Sequence, residues 1–277
     1  MVKMGNVWDR TAEFLAENIP VVLPIALLAF FVPASIQANF ATLSQGASLS
    51  LVLLLRLIQL AFAILSLWGT LAIVALALGM GGERRVGAIA RDRLPLAVLV
   101  WVAVFALALV AALPVALVLH LNGFDFASDA AGQGAAIAGA LRGGVVFYVV
   151  PMLLVLCWAG ARIAVTAPAI VREKRGLSAL VRSWRLTRRL ALPIFGVLFL
   201  FSILSWVAQL AARSVFGSVL ALIAGTNPDG LTLAGVLTGI VVAAVQAGFS
   251  LLIPAFSAKL YQALVAREGL REELTLA

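Results

Sequence analysis

A chain of 277 residues with 64% hydrophobic and only 12% charged side chains does not match a water-soluble globule, in which about a quarter of residues are charged. Its mean hydropathy of +1.13 marks an integral membrane protein. A formal charge of +8 would suggest a nucleic-acid partner for a soluble protein, but these cations sit between apolar runs and none is expected; the single cysteine, Cys157, rules out an intrachain disulfide and a cysteine metal cluster, and no metal or cofactor is expected.

The N-terminal stretch carries Lys3, Asp9, Arg10, Glu13 and Glu17. A secretory signal peptide starts with a short basic region free of acids, so the N-terminus is expected to be retained, although Ile36-Gln37-Ala38 would serve as a cleavage site. Six apolar segments then follow, at 19–41, 49–80, 94–121, 140–171, 190–214 and 231–263. Each is long enough for a hydrocarbon layer of about 30 Å, which takes about 20 helical residues. The second, fourth and sixth exceed that length and should tilt or continue as helix beyond the membrane.

What precedes the odd-numbered spans has a common pattern: NVWDRTAEFLAENIP, ERRVGAIARDRLP and GLSALVRSWRLTRRLALP each mix charged and apolar residues and reach a proline as the span begins. Proline suits a helix start, where its missing N–H would be unpaired anyway. The expected fold is therefore all-α integral membrane: six transmembrane helices as three hairpins, each preceded by a short interfacial amphipathic helix. It reads as one polytopic domain over 1–277, with weak repeat units at 1–80, 81–171 and 172–264 and a cytoplasmic tail at 265–277.

Charge sets the orientation. Lys3, Arg10, Arg84, Arg85, Arg91, Arg93, Arg172, Lys174, Arg175, Arg182, Arg185, Arg188, Arg189, Lys259, Arg267 and Arg271 all fall on one side of the six spans, leaving the centres of the opposite connections without lysine or arginine. The positive-inside rule then places both termini in the cytoplasm.

The densest basic segment is RGLSALVRSWRLTRRLALP, residues 175–193. On a helix, Leu177, Leu180, Val181 and Trp184 share one face, with Arg182, Arg185 and Arg189 on a flank and Arg188 turned into the apolar side. Trp184 reads as an interfacial anchor. A helix in the headgroup plane has this placement, and each arginine near an anionic surface contributes about 1 kcal/mol. A loop serving only as a topological anchor would look the same.

The longer stretch RIAVTAPAIVREKRGLSALVRSWRLTRR, from Arg162 to Arg189, resembles the segment joining the fourth and fifth spans in bacterial glycerophosphoryl diester phosphodiesterase membrane-domain proteins and related six-span inner-membrane proteins. Arg162, Ala167, Pro168, Glu173, Gly176, Ala179, Leu180, Ser183, Trp184, Leu186, Thr187 and Arg188 carry the resemblance. In that family's enzymes a soluble phosphodiesterase barrel performs hydrolysis. The sequence resembles the membrane part alone, so the resemblance implies a fold and a location and not that activity.

Four basic residues lie outside the cytoplasmic set: Arg56, Arg142, Arg162 and Arg213. The outer three, Arg56, Arg142 and Arg213, either snorkel to the interface or together form a cationic ring suited to phosphate. Arg162 lies deeper, with no acid inside the expected spans to pair with it. Its expected partners are backbone carbonyls, Gln59, Gln209, Gln246 or lipid phosphate, and its expected role is to fix the break at Ala167-Pro168, with lipid binding second. Pro114, Pro151, Pro168 and Pro254 should kink or end their helices. Gly139 with Gly143, and Gly235 with Gly239, have a spacing that permits close helix approach.

His120 is the only histidine, and no HExxH, phosphate-binding loop, GxSxG or paired intramembrane carboxylate is present. Catalysis is therefore not expected. The sequence favours a non-catalytic inner-membrane protein that contacts membrane phospholipids or scaffolds a membrane-protein partner or a second copy of itself. The alternative is a permease for a small or lipid-like substrate, with a polar cavity lined by Gln59, Arg162, Gln209 or Gln246.

Overall fold

The computed structural model describes residues 4–38, 48–124, 139, 145–188, 190–224 and 233–276. Six helical stretches are long and apolar enough to cross a membrane, and they occupy the six segments expected from hydropathy. Nine helices are used below: α1 (Met4–Glu17), α2 (Ile19–Gln37), α3 (Leu49–Ala77), α4 (Glu83–Leu121), α5 (Val145–Ile163), α6 (Thr166–Glu173), α7 (Ser178–Thr187), α8 (Ala191–Ala224) and α9 (Leu233–Leu276).

The three lead-ins take different forms. Helix α1 is separate and lays Val7, Thr11 and Phe14 against the core, one side of a helix at i, i+4 and i+7. It packs on α9, where Trp8 meets Phe256 with ring centroids 6.1 Å apart. Helix α7 is also separate. The middle lead-in is not: helix runs unbroken from Glu83 to Leu121 through Pro95 and Pro114. The sixth span likewise continues as helix to Leu276, so the expected tail at 265–277 is an extension of α9 through residue 276.

Helix α2 contains a π turn at Leu27–Phe31. Pro33 lacks the N–H that would bond the Ala29 carbonyl four residues back. Ser66 of α3 donates its hydroxyl to that carbonyl instead, at 2.7 Å. Nearby Gly69 lets the helices touch, since a methyl group there would overlap Ala29. Sequence thus decides the packing locally: a proline frees an acceptor, a serine satisfies it, and a glycine permits the approach.

Buried residues concentrate at the end of the bundle that bears the basic segments. In α3 they run from Gly69 to Ala77, with Leu55 the one exception, while most of the earlier half is exposed. Helix α9 is the common partner, packing on α1, α2, α3, α6, α7 and α8. At its basic end Lys259 donates to the Ala77 carbonyl at 3.2 Å and Gln262 to the same oxygen at 3.4 Å. Ala77 is the last residue of α3, where carbonyls lack helical partners and a cation is favoured. Among the hairpins the second is the loosest: α4 packs far more on α3 than on α5.

Candidate functional site at the basic end

The break between α5 and α6 organises this region. Helix α5 stops at Ile163, and α6 starts at Thr166 with Pro168 in its first turn, where proline is tolerated. Pro114, Pro151 and Pro254, in contrast, all lie inside continuous helices. Near a helix end the Arg162 carbonyl has no helical donor. It accepts from Ser183 Oγ at 2.8 Å, and Thr187 Oγ1, also on α7, lies 3.0 Å from it and shares its one proton with the Ser183 carbonyl at 2.8 Å.

This contact orients α7. Ala179, Ser183 and Thr187 form the buried stripe, small enough to let α7 sit against the end of α5. The apolar side expected to anchor the helix, Leu177, Val181 and Trp184, is exposed at 49%, 60% and 37%. For a helix at a membrane surface these are the residues facing acyl chains.

The Arg162 side chain is buried, only 4% exposed. Its guanidinium carbon lies 4.4 Å from the ring centre of Trp184 and 5.3 Å from that of Trp158. The two indoles meet edge to face, 5.0 Å apart at 89°. Arginine over indole is the most favourable cation–π pairing, and more so when water is excluded. The Nε of Arg162 has no hydrogen-bond partner among the described residues, and Arg188 is near enough to add its own positive field.

Arg182 serves a different purpose from its arginine neighbours. It donates through Nε to Glu173 at 3.1 Å, and through its two terminal nitrogens to both oxygens of Glu268, at 2.8 and 2.5 Å. Glu173 also accepts from Tyr261 at 2.7 Å and pairs with Arg175 at 2.6 Å. The hydrogen-bonded Glu268 carboxylate, then Glu173, raise the pKa of Arg182 above its ordinary value, against the opposing effect of burial. Arg182, expected among the phosphate-contacting groups, is thereby committed to carboxylates that lock α6, α7 and α9 together.

Sequence reasoning missed this hub. Glu173 lay just past the expected end of the fourth span, and Glu268 was placed in a tail. One signal was available: Tyr261 and Glu268 are seven residues apart and so share a helix face.

Arg185 remains exposed, as does Arg188. Arg185 and Trp184 border a groove of about 420 Å³ between α4, α5 and α7, walled by Leu107, Leu156, Gly160 and Val181. Its apolar walls arise where α4 and α5 diverge. Arg189 and Arg142 lie outside the described residues.

The polar residues expected to share one cavity are dispersed. Gln59 accepts from Arg56 at 3.0 Å on the exposed half of α3, and Gln209 donates to Ser205 at 3.0 Å. Gln246 alone of the three lines a described cavity, together with Arg213, at the opposite end of the bundle from Arg162. Arg56 does not line that cavity. Gly239 approaches Ala38 there, with a methyl at Gly239 meeting Ala38 at 3.2 Å; Gly143 lies outside the described residues.

These features define a six-span, multi-pass membrane protein with a cross-linked basic end. Compared with family models, curated proteins and solved structures, the chain matches none.

Proposed function

We propose that this protein is a non-catalytic component of the bacterial inner membrane that binds phospholipid on its cytoplasmic side, where both termini lie. The groove bordered by Trp184 and Arg185 carries this reading, because it joins an apolar channel to cationic groups at one interface. An acyl chain fills the groove, and the headgroup phosphate meets the exposed Arg185 at its rim and Arg188 one turn on. Arginine forks match phosphate oxygens geometrically as well as in charge. Kinship with the membrane portion of the glycerophosphoryl diester phosphodiesterase membrane-domain proteins is proposed on the Arg162–Arg189 segment, whose Arg162, Ser183, Trp184 and Thr187 meet where α7 packs on the end of α5. The exposed basic surface around it suits a scaffold for a membrane partner or a second copy.

Native mass spectra of protein extracted from nanodiscs containing phosphatidylglycerol test this. Wild type should retain the lipid and Arg185→Gln/Arg188→Gln should lose it. Gly160→Leu should also displace it, because a side chain at Gly160 meets only open space. Equal retention in all three would reduce the segment to a topological anchor. Permeation of a small or lipid-like substrate is the second reading, favoured by the cavity that Gln246 and Arg213 line; proton- or cation-coupled transport would ordinarily require an intramembrane carboxylate, and among the described residues no acid lines this one.

A further inference from the structure

The cavity at the other end has the chemistry of a separate binding site. It holds about 500 Å³ between α2, α3, α8 and α9, with Gln37, Ser66, Arg213, Gln246 and Ser250 in its lining. At 1.5 Å per residue, Gln37 lies about 27 Å up α2 and Arg213 about 33 Å up α8, counted from their starts near the basic end. The fifth span does not end beside Arg213, as hydropathy suggested, but continues as helix to Ala224. Arg213 is therefore set within an apolar helix, about three turns from its end.

Ser66 already donates to Ala29. Arg213, Gln37, Gln246 and Ser250 make no side-chain hydrogen bond among the described residues. One guanidinium, two amides and a hydroxyl thus share a cavity without a carboxylate among the described residues. A cationic ligand would meet an unopposed arginine, and an apolar one would offer no partner to the exposed Arg213 and Gln246 or the half-buried Gln37 and Ser250. A tetrahedral oxyanion offers acceptors in several directions and supplies the missing charge.

We propose that this cavity binds a phosphate-type oxyanion, held by Arg213 with Gln37, Gln246 and Ser250, independently of the lipid groove at the basic end. The anion is either free phosphate or the headgroup of a lipid entering between helices. The test uses the full chain in phosphatidylcholine nanodiscs titrated calorimetrically with inorganic phosphate, and a second set of discs containing phosphatidylglycerol read by native mass spectrometry. For a free anion, Arg213→Gln should weaken phosphate binding about tenfold or more, as expected for losing hydrogen bonds to a charged group. Gln246→Leu should weaken it less, and Arg185→Gln/Arg188→Gln should leave it unchanged. For a headgroup, phosphate gives no heat, and Arg213→Gln loses a phosphatidylglycerol that the Arg185→Gln/Arg188→Gln protein keeps. If Arg213→Gln does not fold, Gln246→Leu and Ser250→Ala decide, since both leave the charge in place. Phosphate binding and lipid retention that are both indifferent to these cavity variants would overturn the proposal and leave Arg213 a snorkelling side chain. Absence of phosphate heat together with loss of lipid only in the Arg185→Gln/Arg188→Gln protein would overturn it while sparing the groove.

Discussion

Arg162 works through two parts of itself: its carbonyl receives two hydroxyls of α7, and its guanidinium is enclosed by two indoles. Thr187→Val removes one of those donors while keeping the shape, and should lower the unfolding free energy by about 1 kcal/mol. The midpoint of unfolding in sodium dodecyl sulfate measures it. Ser183 still serves the same oxygen in that variant, so a loss several times larger would show that α7 had detached. Lys174 closes α6 with φ of 55°, a left-handed conformation that favours glycine. Lys174→Gly should therefore raise the same midpoint slightly, whereas Lys174→Val should lower it. The position of Arg162 beside a helix break was legible from its proline and its place in an apolar run. The stripe that receives it was not, because Ala179, Ser183 and Thr187 are too small and polar to register as a buried face.

Between elements, the contacts that matter join residues far apart in sequence. A branched side chain at Gly69 would overlap Ala29 and force α3 away from the π turn of α2. Gly69→Val should greatly reduce the yield of monodisperse protein on size-exclusion chromatography, and Gly5→Val, at a position with open space around it, should not. The Arg182–Glu268 pair ties α7 to the extension of α9, with side-chain exposures of 18% and 39%. Partial exposure limits its contribution, so a double-mutant cycle with Arg182→Gln and Glu268→Gln should give a coupling of about 0.5–1 kcal/mol that shrinks in high salt. Salt-independent coupling would point to a drier environment than the structure shows. Helix lengths were readable from hydropathy and from prolines at helix starts. The fusion of the middle lead-in with its span was not, because Pro95 marks a plausible start yet is accommodated inside α4.

For the whole molecule, all basic segments of the described helices gather at one end, which matches the charge asymmetry read from sequence. An even number of spans predicts that reporters fused at each end report the same compartment, and the proposed cytoplasmic orientation predicts that adding arginines to the connection after α3 leaves this unchanged. Opposite compartments for the two reporters would contradict a six-span arrangement. Hydropathy could locate the spans because each is a local property of about 20 residues. It could not reveal which of them stands at the centre, since that depends on contacts that only the folded chain contains. The centre is α9, the last of the nine to be synthesised. Until it enters the bilayer, the Ala77 carbonyl lacks Lys259, Glu173 lacks Tyr261, and Arg182 lacks Glu268. A nascent chain paused after the fifth span would thus keep Glu173 paired with Arg175 and Arg182 but leave the second carboxylate of Arg182 and the donors to Ala77 still to come.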